Sequence, residues 1–150
     1  MARGARNLAE ALRRTRARVR PGRYALVSLP PSRARLAEGF LARVGSRGIG
    51  QVVAEREGVT LLLPERTLRG LRGESEGWRV RRGFRVISFA CPMEWSVVGF
   101  LARVSRALAD ARVPVGVVCS FDFDHVFVPA RRLPSARRAI ARALRPSGSA

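Results

Sequence analysis

The sequence predicts an α+β fold: two tandem β-α-β-β-α units with antiparallel sheets, ferredoxin-like in type. The first observation behind this is a doubled hexamer, GFLARV, at 39–44 and again at 99–104. The second is that the flanks keep register with it. A shift of sixty lays Tyr24 on Phe84, Val27 on Ile87, Ser28 on Ser88 and Leu29 on Phe89. Beyond the hexamer the shift becomes sixty-five: Val52-Val53 meets Val117-Val118, and Leu61, Leu63 and Pro64 meet Val126, Val128 and Pro129. Two collinear copies that differ by a five-residue loop are the signature of a duplicated unit. The third is the order of apolar patterns. Each copy shows a run of strand formers, a segment with helical spacing, and two further short runs.

Residues 1–20 set Leu8, Leu12 and Val19 among arginines, a weak amphipathic pattern that Pro21-Gly22 breaks. Residues 24–29 are a run of strand formers closed by Pro30-Pro31. Ser32 is the expected N-cap of a helix carrying Leu36, Phe40, Leu41 and Val44 on its sheet-facing side, with Gly45 and Gly48 as its stop. Strands are expected at 49–54 and 59–63 and a short helix at 64–71. Gly70, Gly73 and ESEG at 74–77 read as a linker.

The second copy runs through a strand at 84–90, a loop at 91–96 and a helix at 97–111. That helix carries Val97, Phe100, Leu101, Val104 and Leu108 on one face. Strands at 114–120 and 125–128 flank a polar turn, and a last helix spans 135–144. Gly39 and Gly99 are expected near the helix starts. A ferredoxin-like sheet needs one more strand than each copy supplies, and residues 78–80 or an exchange of strands between copies are expected to provide it. The domains expected are therefore an Arg-rich N-terminal extension (1–22), a first unit (23–76), a second unit (77–145) and a disordered tail (146–150).

The 150 residues are 47% apolar and 27% charged, which favours a buried core over disorder. No apolar run nears the roughly 18 residues of a membrane span. The Arg-rich start is not followed by the apolar stretch of a secretory signal, so a cytoplasmic location is expected, although residues 1–20 also fit an Arg-rich, acid-poor presequence. The net charge of +18 invites a nucleic-acid reading. All its cations are arginines, however, as a compositional bias would give. The charge gathers at the ends: +7 over 1–23 and +6 over 131–150, against +5 over the whole of 24–130. No aromatic residue lies in either end to stack on bases, so solvated basic ends are favoured over a nucleic-acid surface.

Catalytic devices are poorly supported. His125, the single histidine, precedes a strand beside Asp124, and no nucleophile elbow occurs. It reads as a solvated or capping turn residue. Cys91 and Cys119 show no paired spacing for zinc and read as small buried apolar residues. Asp122 and Asp124 fall short of the ligand count of a calcium or magnesium site, and no phosphate-cradling glycine loop occurs. No enzyme activity, metal or cofactor is expected.

Two segments could bind a ligand. The loop PMEWSVVG at 92–99 leads into a helix whose first amides lack helical partners and whose dipole favours an anion. The turn SFDFDH at 120–125 carries carboxylates that could accept from an ammonium or guanidinium group. Each also reads as ordinary structure, a helix start with a packing glycine and a polar hairpin turn.

Two tandem units of this kind, with EGVTL at 57–61 in the first, resemble the ACT-type regulatory domains. GFLARVSRALADARVPVGVVCSFDFDHVFVP at 99–129 is similar to the last ACT unit of the cytosolic arginine sensors and their bacterial relatives. The resemblance covers about 24–144. It implies a non-catalytic regulatory protein that binds a small molecule, usually an amino acid, at an interface between ACT units and acts allosterically. It also implies a homodimer, since such units pair side by side. By position, Val97, Val98 and Gly99 would meet the ligand's main-chain groups. Asp124 would face its side chain, within the matching turn of Ser120, Phe121 and Asp122. Those sensors carry an acidic residue just before the glycine where this chain has Val97-Val98, which leaves a neutral or unidentified amino acid open. The alternatives are an Arg-rich nucleic-acid-binding accessory protein and an ACT scaffold that only dimerises. No membrane partner is expected.

Overall fold

The computed structural model describes residues 3–46, 48–69 and 77–145. The tail at 146–150 and the linker at 70–76 lie outside the described residues. In chain order the elements are helix α1 (Leu8–Arg14), strands β1 (Ala17–Val19) and β2 (Tyr24–Leu29), helix α2 (Leu36–Ala42), strands β3 (Gln51–Glu55), β4 (Gly58–Pro64) and β5 (Arg79–Phe89), helix α3 (Phe100–Asp110), strands β6 (Gly116–Cys119) and β7 (Asp124–Pro129), and helix α4 (Leu133–Ala143). Residues 20–85 form one compact unit, and residues 1–19 with 86–150 form another. Strand β5 thus supplies residues to both.

In the unit of residues 20–85 the strands run β3-β4-β2-β5 with antiparallel ladders. Numbered within the unit this is order 2-3-1-4, the ferredoxin-like arrangement. Along β2, buried Val27 and Leu29 alternate with half-buried Leu26 and Ser28, so one face carries the core. Helix α2 lays Ala37 and Phe40, and the turn after it Val44, on Val27, Leu29, Val59, Leu61 and Leu63. Leu41 faces outward, 37% exposed, rather than joining them. Ser32 does not cap this helix. The chain leaves Pro30 into a 3-10 turn, Pro31–Arg33, closed by Arg33 N–H to Pro30 O at 2.9 Å. The α-helix begins only at Leu36, with no side-chain cap, and Gly39 falls inside it. The helix expected at 64–71 is a 3-10 turn, Glu65–Leu68; the Thr67 hydroxyl donates to Pro64 O at 2.7 Å, a local bond that competes with helical pairing. The fourth strand comes from β5, where Arg79, Val80 and Arg81 pair with Ser28, Val27 and Leu26.

In the other unit β6 and β7 form an antiparallel hairpin, β7 lies beside β5, and β1 pairs with β5 through Ala17↔Phe89, Arg18↔Ser88 and Val19↔Ile87. The same four-strand order results, and its fourth strand is drawn from the start of the chain. The described part of the Arg-rich start, residues 3–19, packs within this unit. Ala5, Ala11 and Leu12 are buried with Ile87, Phe89, Phe100, Val104, Leu108 and Ile140. Helix α1 starts at Asn7, whose side chain accepts from Glu10 N–H at 2.9 Å. The Glu10 carboxylate in turn accepts from Arg6 N–H at 3.0 Å and Arg14 at 2.7 Å. These bonds hold the Glu10 carboxyl below its usual range, the Arg6 amide foremost.

Helices α3 and α4 cover the core-facing side of this sheet, and Phe89 meets Phe100 edge to face at 5.2 Å. Each helix end is closed by an arginine from near the other. Arg103 of α3 donates to Ala143 O at 2.7 Å and Arg145 O at 2.9 Å, and Arg132 donates to Ala111 O and Arg112 O, both at 3.0 Å. His125 is not a solvated turn residue. It lies within β7, 5% exposed, and its Nδ1 is 2.8 Å from Ser88 Oγ on β5, so its polar ring has a partner in the interior. Cys91 is buried as expected, but Cys119 is exposed, because it alternates with buried Val118 along β6 and so falls on the other face of the strand.

Candidate functional site

Helix α3 starts later than its apolar spacing suggests. Val97 N–H bonds to Glu94 O at 3.0 Å in a turn, and Gly99, at φ +93°, is the N-cap. A left-handed residue there ends the turn and fixes the first helical residue as Phe100. No side chain caps the helix, so the amides of its first turn are left for a ligand or solvent. Val97 and Val98 consequently lie in the loop and not on the helix.

The second segment is a tight turn between β6 and β7. Ser120 N–H donates to Phe123 O at 2.9 Å, and the Ser120 hydroxyl lies 3.0 Å from the same oxygen. Asp124 opens β7 directly opposite Cys119. The two segments are tied by Met93 N–H to Asp122 O at 3.3 Å. The chain start holds the first of them in place: Ala5 N–H donates to Pro92 O at 2.8 Å and Glu94 N–H to Ala5 O at 2.9 Å.

Between these segments lies a cavity of about 320 Å³. Val97, Gly99, Ser120, Phe121, Asp122 and Asp124 line it, together with the first helical turn of Phe100, Leu101 and Ala102. Val98 does not; its side chain is 82% exposed. Glu94 and Trp95, which the sequence places in the candidate loop at 92–99 without assigning them a ligand contact, also line the cavity, as does Cys119. A signal for Glu94 and Trp95 was present, since they sit in the same loop as Val97. A second cavity of about 680 Å³ adjoins it, sharing Glu94, Trp95 and Ser120 to Phe123 and adding Gly4 and Pro92.

The chemistry of the cavity is two-signed. Unpaired amides and the positive end of α3 suit a carboxylate, while Glu94, Asp122 and Asp124 offer acceptors to an ammonium. Two large aromatic side chains of its lining, Trp95 and Phe121, are fully exposed. Partial burial, and next the Asp124 carboxylate opposite, push the Cys119 thiol up to about 11. Among the described residues no three His, Cys, Asp or Glu side chains gather in a metal-binding group, and no helix is long and apolar enough to cross a membrane.

Residues 79–142 match the family model described as the ACT domain, a span that runs from the start of β5 into α4. No curated protein matches the chain. Among solved structures, a protein of Agrobacterium tumefaciens is similar at TM-score 0.66 and 18% identity, over 87% of this chain and 89% of that one. The ligand-free regulatory subunit of aspartate kinase from Thermus thermophilus is similar at TM-score 0.65 and 15% identity, over 87% and 99%. A Vibrio cholerae protein described as of unknown function and a possible transport protein gives TM-score 0.65 and 19% identity, over 89% and 93%. At these identities the likeness is one of fold. The match to the ACT domain is confined to residues 79–142, less than half of the chain, and there the chain is similar to that family.

Proposed function

We propose that the chain is a non-catalytic regulatory protein with two ACT units, which binds an amino acid at an interface between ACT units of two copies. The observation that carries this reading is the shared cavity. Two loops more than twenty positions apart, both within the ACT-matching span, meet around about 320 Å³ with helix amides on one side and carboxylates on the other. An amino acid is the small molecule that carries both complementary charges on one carbon. The volume lies at the lower end of ligand pockets, as a single amino acid needs. The exposed Trp95 and Phe121 of the cavity lining support an interface, because large apolar side chains left in water mark association surfaces. The matching strand order in residues 20–85 supports reading that unit as the other ACT domain. A ligand held between copies would favour the assembled state, which is the coupling that regulation needs. Calorimetric titration of the folded protein with each of the twenty amino acids tests the reading. Saturable heat with one of them is expected, and none with any would overturn it. A strictly monomeric mass by light scattering at tens of micromolar, with that amino acid present, would remove the interface.

A further inference from the structure

Away from that site, helix α1 and strand β1 stand beside the C-terminal half of α4 and enclose a cavity of about 670 Å³. Its floor is apolar, formed by Leu12, Val19, Ile87, Ile140 and Leu144. Its polar lining is of one sign only: Arg13, Arg16, Arg137 and Arg145, with no acidic residue among the lining side chains. None of the four takes part in an ion pair among the described residues, where the pairs are Arg14–Glu10 and Arg106–Asp110. Arg16 spends one nitrogen on Arg13 O and Thr15 O, at 3.0 and 3.1 Å. Thr15 also lines the cavity, and its buried hydroxyl has no hydrogen-bond partner among the described residues.

We propose that this cavity binds an organic anion with an apolar body, an acyl carboxylate whose chain lies on the floor and whose head meets the arginines. Four like charges around a cavity repel one another until an anion enters, and guanidinium groups pair with carboxylates by two parallel hydrogen bonds. An inorganic anion would leave the apolar floor wet, and an uncharged apolar ligand would leave the arginines unanswered. The acyl carboxylate satisfies both. An amino acid does not, because its ammonium would face four arginines with no carboxylate among the lining side chains to answer it.

The test is titration of the full chain with octanoate, decanoate, dodecanoate and decanol, each below its micellar range. Affinity is expected to rise by up to about fourfold per added methylene until the floor is covered. Decanol should bind roughly tenfold or more weakly than decanoate. The double variant Arg13→Gln/Arg137→Gln should lose decanoate affinity by about tenfold or more and leave decanol affinity within about twofold. Both side chains are exposed, so the fold should persist, which an unchanged ligand-free melt confirms. Decanol matching decanoate, no dependence on chain length, or a double variant that binds decanoate normally would each overturn the proposal. So would retention on anionic phospholipid vesicles with no binding of the free acids, which would make the arginines a membrane-surface patch. Decanoate binding lost in Asp124→Ala would place the ligand in the other cavity and equally overturn it; binding unchanged in that variant supports the assignment, whatever becomes of the amino-acid reading.

Discussion

Tyr24 and Phe84 occupy equivalent positions of the duplicated sequence, and in the structure they face each other as cross-strand partners of β2 and β5. The register then slips: Leu26 stands opposite Arg81, so β5 carries an extra residue beside the pair. Gly83, at φ +84°, absorbs it as a left-handed residue in a bulge. Gly39 is the opposite case, an exposed glycine inside α2 with open space where a Cβ would go. Gly83→Ala should therefore lower stability by about 1–2 kcal/mol through backbone strain, while Gly39→Ala should raise it by about 0.5–1 kcal/mol. Urea unfolding of both variants checks the pair.

Gly116 and Phe127 are also cross-strand partners, and the aromatic ring lies over the glycine where a Cβ would stand. Gly116→Ala should displace that ring and cost about 1–3 kcal/mol, the usual range for overpacking. Restoring room with Gly116→Ala/Phe127→Leu should recover part of the loss. A single variant as stable as the parent would show that the ring is free to move aside.

The Cys119 thiol has its charged form disfavoured, chiefly by partial burial and then by Asp124. Alkylation at pH 8 should accordingly be slower than for a free cysteine, rising toward pH 11. Asp124→Asn should move that rise to lower pH. The folded pKa is raised above the ordinary 9.0, so the stability this group contributes is present below pH 9 and is lost as pH climbs toward 11. An alkylation profile centred at the ordinary value would contradict this.

Much of the fold was legible because its signals are local. Strand β2 coincides with the run of strand formers at 24–29. The four-strand requirement asks for a strand from residues 78–80 or an exchange between copies, of which β5 supplies the first through Arg79 and Val80. What stayed hidden depends on distant partners. Val19 reads with Leu8 and Leu12 as part of a weak amphipathic pattern, whereas in the structure it pairs with Ile87 as a strand residue. Ala5 carries no sequence signal for its bonds to Pro92 and Glu94. His125 looked like a turn residue because Ser88, its partner, lies 37 positions away. The candidate site was legible as two loops but not as one place. Val97 and Val98 are neighbours in sequence, yet the turn before Gly99 sends one into the cavity and the other into solvent.

The reading of the cavity as an amino-acid site is tested most directly by the affinity of Asp124→Ala for whichever amino acid the parent protein binds. A ligand-facing carboxylate contributes a charge-assisted hydrogen bond, and its removal should weaken binding by about ten- to a hundredfold. The melting temperature should barely move. Unchanged affinity in a variant that melts early would contradict the account, because it would make Asp124 a structural residue of the β6–β7 turn with no ligand before it.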